Sequence, residues 1–223
     1  RDSTNIDIKG IIENNGALNL SLAIDNLSGD ILGKYLLGIE DNTLIADGKL
    51  KAKITGDLTD PIFKIDTQID NLIYAETKLG SLQGLVDYDE QILTANFTFL
   101  DSTNNKNAPL LTLNGKLPIN LSLGTVEKRL FDDRELSFSL KSSKFNLNAL
   151  GRAIPAIFDQ RGYLEADVNL SGTLYKPVYT GYVNLTEGYF KMDFNNLEYK
   201  CSGKALFTTT GLTLENFVIE NAG

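Results

Sequence analysis

The sequence predicts an all-β chain built on a mostly antiparallel sheet, and three observations carry that prediction. Apolar residues recur at every second position over most of the chain, as they do on a strand with one dry and one wet face. Short turns rich in Gly, Asn and Asp separate these runs: Asn14-Asn15-Gly16, Ala46-Asp47-Gly48, Thr186-Glu187-Gly188. The runs are apolar on one phase only, which fits antiparallel meanders, because strands of buried parallel sheets read as continuous apolar stretches.

Taken in order, Leu18, Leu20, Leu22 and Ile24 open the alternation. Leu93, Ala95, Phe97 and Phe99 continue it between Thr94, Asn96 and Thr98. Leu111, Leu113, Leu117, Ile119, Leu121 and Leu123 predict another alternating stretch, and Leu164, Ala166, Val168 and Leu170 a further one between Glu165, Asp167 and Asn169. Two segments break the period. Leu27, Ile31, Tyr35, Leu36 and Ile39, and then Leu147, Leu150, Ile154, Ile157 and Phe158, recur at helical spacing, so two short helices are expected. Pro155 shortens or kinks the second.

The two helical stripes hold matching places in an internal repeat. Each follows an alternating run and precedes a glycine read as opening a strand, Gly48 and Gly162. Gly56-Asp57-Leu58-Thr59-Asp60-Pro61 then corresponds to Gly172-Thr173-Leu174-Tyr175-Lys176-Pro177. The offset is 162 − 48 = 114 at the first glycine and 177 − 61 = 116 at the proline. The repeats run roughly over 18–102 and 136–221, with a linking segment at 103–135. Repetition of one supersecondary unit predicts an elongated array. About sixteen strands at ~4.8 Å spacing would make it roughly 80 Å long. Within each repeat Gly-x-Leu-x-x-Pro is a hairpin device: Gly tolerates positive φ, and Pro cannot donate to a ladder.

Composition excludes most catalytic chemistry. Among 223 residues there is no His and one Cys, so no His-based triad, Cys-His pair, histidine metal site or intrachain disulfide can form. The formal net charge of −8 argues against a nucleic-acid surface. The carboxylate groups Asp57/Asp60, Asp87/Asp89/Glu90 and Asp132/Asp133 sit among turn residues, where Asp serves local hydrogen bonding. Cys201 alternates with Leu197 and Tyr199, which predicts a small buried apolar residue. The chain is read as non-enzymatic, with no catalytic residue, cofactor or metal site. It begins at Arg1 and contains no apolar run near the ~20 residues of a membrane helix, so it is read as a piece, 1–223, of a longer protein.

From Gly162 onward the chain carries Gly-x-Leu-x-x-x-Val-x-Leu-x-Gly-x-Leu-x-x-Pro, then Gly181-Tyr182-Val183-Asn184-Leu185 and Gly188-Tyr189-Phe190, Leu197 and Leu212-Thr213-Leu214. This resembles the repeat of the TamB/AsmA-like proteins of Gram-negative bacteria. Leu111-Thr112-Leu113-Asn114-Gly115-Lys116-Leu117-Pro118-Ile119 resembles another TamB segment, and Gly48 to Pro61 a weaker copy. The resemblance implies a long sheet folded lengthwise into an open, U-shaped β-taco groove with an apolar interior. It also implies a periplasmic setting, an N-terminal inner-membrane anchor outside this segment, and an outer-membrane partner of the Omp85 type, TamA.

On that reading, phospholipid acyl chains are the expected partner, moving between inner and outer membranes. The expected lining is Leu93, Phe97, Phe99, Leu164, Ala166, Val168, Leu170, Val183, Leu185, Phe190, Met192 and Phe194. Two other readings stand beside it: a scaffold for outer-membrane protein assembly that receives a strand at an open edge, and a closed β-sandwich module of a surface protein.

Overall fold

Alternation of this length folds into strands paired with their chain neighbours, and the computed structural model has that arrangement throughout. The structure describes residues 4–29, 44–74, 77–100, 109–150 and 156–222. Twelve strands form one sheet in sequence order: β1 (Asn5–Ile12), β2 (Ala17–Ser28), β3 (Leu44–Asp57), β4 (Pro61–Tyr74), β5 (Thr77–Asp89), β6 (Ile92–Leu100), β7 (Pro109–Pro118), β8 (Leu136–Asn146), β9 (Ile157–Gly172), β10 (Pro177–Met192), β11 (Glu198–Thr208) and β12 (Gly211–Asn221). Every neighbouring pair is antiparallel, and β1 and β12 do not meet, so the sheet is open and not a barrel. Twelve strands replace the sixteen expected because several are long, β9 and β10 having 16 residues each. At ~4.8 Å per spacing the sheet is roughly 53 Å across.

The repeats each take up five consecutive strands, β2–β6 and β8–β12, with β7 in the linking segment. Their hairpin glycines match in conformation as well as sequence: Gly56 has φ 86° and Gly172 φ 87°. A Cβ there would meet the carbonyl oxygen of Asp60 or Lys176 at 2.4 Å, which fixes glycine at both turns. Asp57 Oδ1 accepts from the Thr59 amide at 2.7 Å and hydroxyl at 2.6 Å and from the Asp60 amide at 2.9 Å. Asp57 is therefore a turn former, as its setting predicts.

Three sequence expectations are corrected. Gly48 and Gly162 lie inside β3 and β9, which begin at Leu44 and Ile157. Ile157 and Phe158 belong to β9 and Leu27 to β2; among the described residues of the two stripes, Leu147–Leu150 forms a single 3-10 turn. The remainder of the two helical stripes, Ile31 to Ile39 and Ile154, lies outside the described residues. The odd-numbered alternation overruns β7: the strand ends at Pro118, Ile119 makes only an isolated bridge with Leu130, and Leu121 and Leu123 sit in a loop.

The chain exposes 14135 Å² of surface, against about 10,000 Å² for a compact protein of this mass. Every extensive close backbone contact between strands joins chain neighbours. The 3-10 turn is the exception to neighbour-only contact: it touches β9 and also β5, three strands from β8.

Candidate functional site: a continuous apolar face

The registers sort side chains onto two faces. One row of direct cross-strand partners runs through all twelve strands: Ile6, Ile24, Leu50, Thr67, Gly84, Phe97, Leu113, Leu140, Val168, Gly181, Phe207 and Leu212. One step toward the hairpin turns at Gly56 and Gly172 lies Ile8, Leu22, Ala52, Ile65, Val86, Ala95, Gly115, Phe138, Leu170 and Tyr179. One step the other way lies Leu27, Gly48, Ile69, Leu82, Phe99, Leu111, Ser142, Ala166, Val183, Ala205 and Leu214. No charged side chain interrupts these three rows. Directly opposed apolar partners are the unit by which a sheet face coheres.

The other face is wet. A typical row reads Asn5, Asp25, Lys49, Gln68, Gln83, Thr98, Thr112, Lys141, Asp167 and Tyr182. Lys141 pairs with Asp167 at 3.3 Å. Tyr182 donates to Glu165 at 2.7 Å while the Lys204 ammonium lies 4.6 Å above its ring; the hydrogen bond to Glu165 holds the phenol above its usual pKa. Asn19, Asn96, Asn169 and Asn184, each opening an Asn-x-Ser/Thr triplet, fall on this face.

Burial on the apolar side is concentrated in two bands. The first follows a belt of β-bulges within four residues of the Leu27–Leu214 row, at Asn26, Ala46, Asn71, Ser143–Lys144, Glu187 and Asn216. Asn26, Asn71, Glu187 and Asn216 take positive φ there, between 47° and 55°. Bulges bend a strand and raise its twist. Leu27, Ala46, Ile69, Leu72, Ala166 and Cys201 are buried along this belt. Burial pushes the Cys201 thiol up from its ordinary pKa, leaving it a small apolar side chain.

The second band lies at the Gly56/Gly172 end, where residues 119–135 cross above Tyr88. The Leu121 amide donates to the Tyr88 hydroxyl oxygen at 2.8 Å, the Leu123 amide to the Leu58 carbonyl at 2.8 Å, and the Ile119 amide to the Gln91 carbonyl at 2.9 Å. Arg129 Nη1 donates to the carbonyls of Asn120 and Ser122, both at 3.1 Å, and holds the strap together. Asp132 joins it to Tyr175 in the β9–β10 turn and to Lys128. Tyr88 is 1% exposed and Leu136 4%.

Between the bands the two rows through Phe97 and Phe138 are half-buried over most strands and exposed at Ile6, Ile8, Tyr179 and Leu212. Two rings lie over glycines here. A Cβ on Gly84 would meet the Phe97 ring at 2.6 Å, and one on Gly115 the Phe138 ring at 2.3 Å. The aromatic groups therefore lie down across the neighbouring strand and pave the floor.

The expected lining residues distribute accordingly. Leu170 lies in the row through Phe138, Phe97 and Val168 in the next, Phe99, Ala166 and Val183 along the bulge belt, and Leu164 opposite Leu185 just beyond it. Leu93 pairs with Tyr88 at the strap. Phe190 stacks on Tyr199 at a centroid distance of 5.5 Å, and Met192 faces Ile157. Phe194 stands apart: it lies in the β10–β11 turn at 77% exposure, outside every row. The sequence reading missed Leu22, Leu50, Ile65, Leu113, Phe138 and Leu140, which complete the same rows. Their alternation was visible, but only register assigns them to one face. No protein family, curated protein or solved structure matches the chain.

Proposed function

We propose that this chain is a segment of a TamB/AsmA-like periplasmic protein whose sheet, folded lengthwise along the bulge belt, forms a trough that holds phospholipid acyl chains and lets them pass between the inner and outer membranes. The observation that carries the reading is the apolar strip through Phe97 and Val168, which crosses all twelve strands without a charge. Each methylene moved from water onto such a strip is worth ~0.8 kcal/mol, whatever its headgroup, so the path needs no selective polar pocket. The wet outer face keeps the trough in solution. The belt and the strap border the strip on its two long sides, as the crease and rim of a trough would. The large accessible surface favours this over a closed sandwich.

Photo-crosslinking side chains at Phe97 and Val168 are expected to capture phospholipid, and lipid extraction of the purified chain to recover it. A crosslinker at Asn96, on the wet face, is the control and captures none. Absence of lipid at both strip positions and in native mass spectrometry would overturn the proposal. Crosslinks to outer-membrane proteins at the sheet edges, with none to lipid, would favour the assembly scaffold acting with an Omp85-type partner.

A further inference from the structure

Two phenylalanines on the apolar face lie over glycines, and both pairs fall within the same four strands. Phe97 of β6 covers Gly84 of β5, and Phe138 of β8 covers Gly115 of β7, each ring lying on its direct cross-strand partner. Neither glycine has the positive φ found at Gly56 and Gly172. A side chain is excluded here by what lies above the backbone. The atoms nearest a Cβ on Gly115 all belong to Phe138, and those nearest one on Gly84 belong to Phe97 and the Thr67 methyl, at 2.6–2.8 Å.

The same four strands are tied across at both ends. On the side of the hairpin turns, the strap runs from β7 to β8, and its Leu121 amide donates to the Tyr88 hydroxyl oxygen of β5. On the side of the bulge belt, the 3-10 turn that follows β8 reaches back to β5. The strip over β5–β8 is thus held between two cross-ties. A ring laid flat on backbone raises the floor by one carbon contact, about 3.5–4 Å; a ring standing on its own strand would raise it by more.

We propose that Gly84 and Gly115, by letting Phe97 and Phe138 lie flat, set the clearance of the trough over β5–β8, so that this section accepts straight acyl chains and holds back branched ones. Such selection rests on the trough reading above. A flat aromatic floor offers no recess for a branch methyl, and the cross-ties limit how far the sheet can open to make one. In an apolar pocket one extra methylene is worth tenfold or more in discrimination, so a preference of about tenfold is expected.

The test uses the whole chain with two probes, palmitic acid and a mid-chain methyl-branched analogue. Photo-crosslinkers are placed in turn at Leu113, which lies beside Phe97 in its row, and at Val168 of β9, outside the ring-floored section. Leu113 is expected to capture the straight chain about tenfold over the branched one, and Val168 to capture both alike. Phe97→Leu with Phe138→Leu opens the floor and abolishes the preference at Leu113. Gly84→Ala lifts the Phe97 ring and lowers capture of both acids at Leu113 but not at Val168; adding Phe97→Leu restores it. Circular dichroism and urea midpoints check that each variant keeps its sheet. An aromatic laid on a glycine also supports a sheet. If that is all these rings do, the leucine variants lose stability while the preference stays, which would overturn the proposal. Capture at Val168 with no preference at Leu113 overturns it alone; capture of neither acid at either position overturns the trough reading as well.

Discussion

Asp57 shows what one residue contributes and how much of that can be read from sequence. Its carboxylate gathers three short hydrogen bonds from Thr59 and Asp60, and these hold its pKa below the usual carboxylate value, the Thr59 hydroxyl contributing most. The unfolded chain lacks those bonds and binds a proton more readily. The stabilisation is therefore fully present above the ordinary value of 3.8 and is lost as pH falls through the lowered folded pKa. Carbon-detected NMR titration is expected to place Asp57 below a reference Asp in a peptide; an equal or higher value refutes the turn geometry. This role was legible because its partners lie within three residues. The placement of Phe97 on Gly84 was not, since it depends on which strand neighbours which and in what register.

At the scale of elements, alternation located the strands and their sidedness, because an open sheet with one wet face writes its period directly into sequence. It failed where the backbone departs from the period. A bulge adds one residue that faces neither side cleanly, so the sequence shows only a skipped beat, and the same skipped beat imitated a helix near Ile157. Prolines and glycines also mislead: Pro118 ends β7 in the midst of unbroken alternation, while Gly48 and Gly162 lie within strands that they were expected to begin. Correspondence between the repeats extends to this level, since Asn71 and Glu187 share the 116-residue offset of the hairpin prolines (187 − 71 = 116) and have φ of 53° and 52°. A left-handed residue other than Gly or Asn carries a cost that glycine removes. Glu187→Gly is accordingly expected to raise stability by about 0.5–1 kcal/mol, and Glu187→Val to lower it by about 1–2 kcal/mol. Asn184→Gly, in the regular part of the same strand, should lower it by up to about 1 kcal/mol. Urea midpoints measure all three, and a Glu187→Gly loss equal to that of Asn184→Gly would deny the bulge.

For the whole molecule, the decisive property is that extensive strand contact never leaves the chain neighbours, apart from the 3-10 turn reaching β5. Stability then behaves largely as a sum along one dimension, each strand held chiefly by the two beside it, as in repeat arrays. A closed sandwich behaves differently, because facing sheets share a core and unfold together. Val168→Pro separates the two cases. Val168 lies mid-way along β9, paired on one side with Leu140 and on the other with Gly181, so proline removes a ladder donor and breaks the second repeat at its centre. In an open array, native-state hydrogen exchange should collapse across β8–β12 while β2–β6 retain most of their protection, because β7, the strap and the 3-10 turn are the main links from the damaged repeat to the first. In a sandwich the loss should appear in both repeats by the same free energy. Residual protection confined to β2–β6, with an unfolding transition that splits into two steps, is the expected result. Uniform loss across all twelve strands would mean that the apolar strip meets the protein itself, leaving nothing free to meet a lipid.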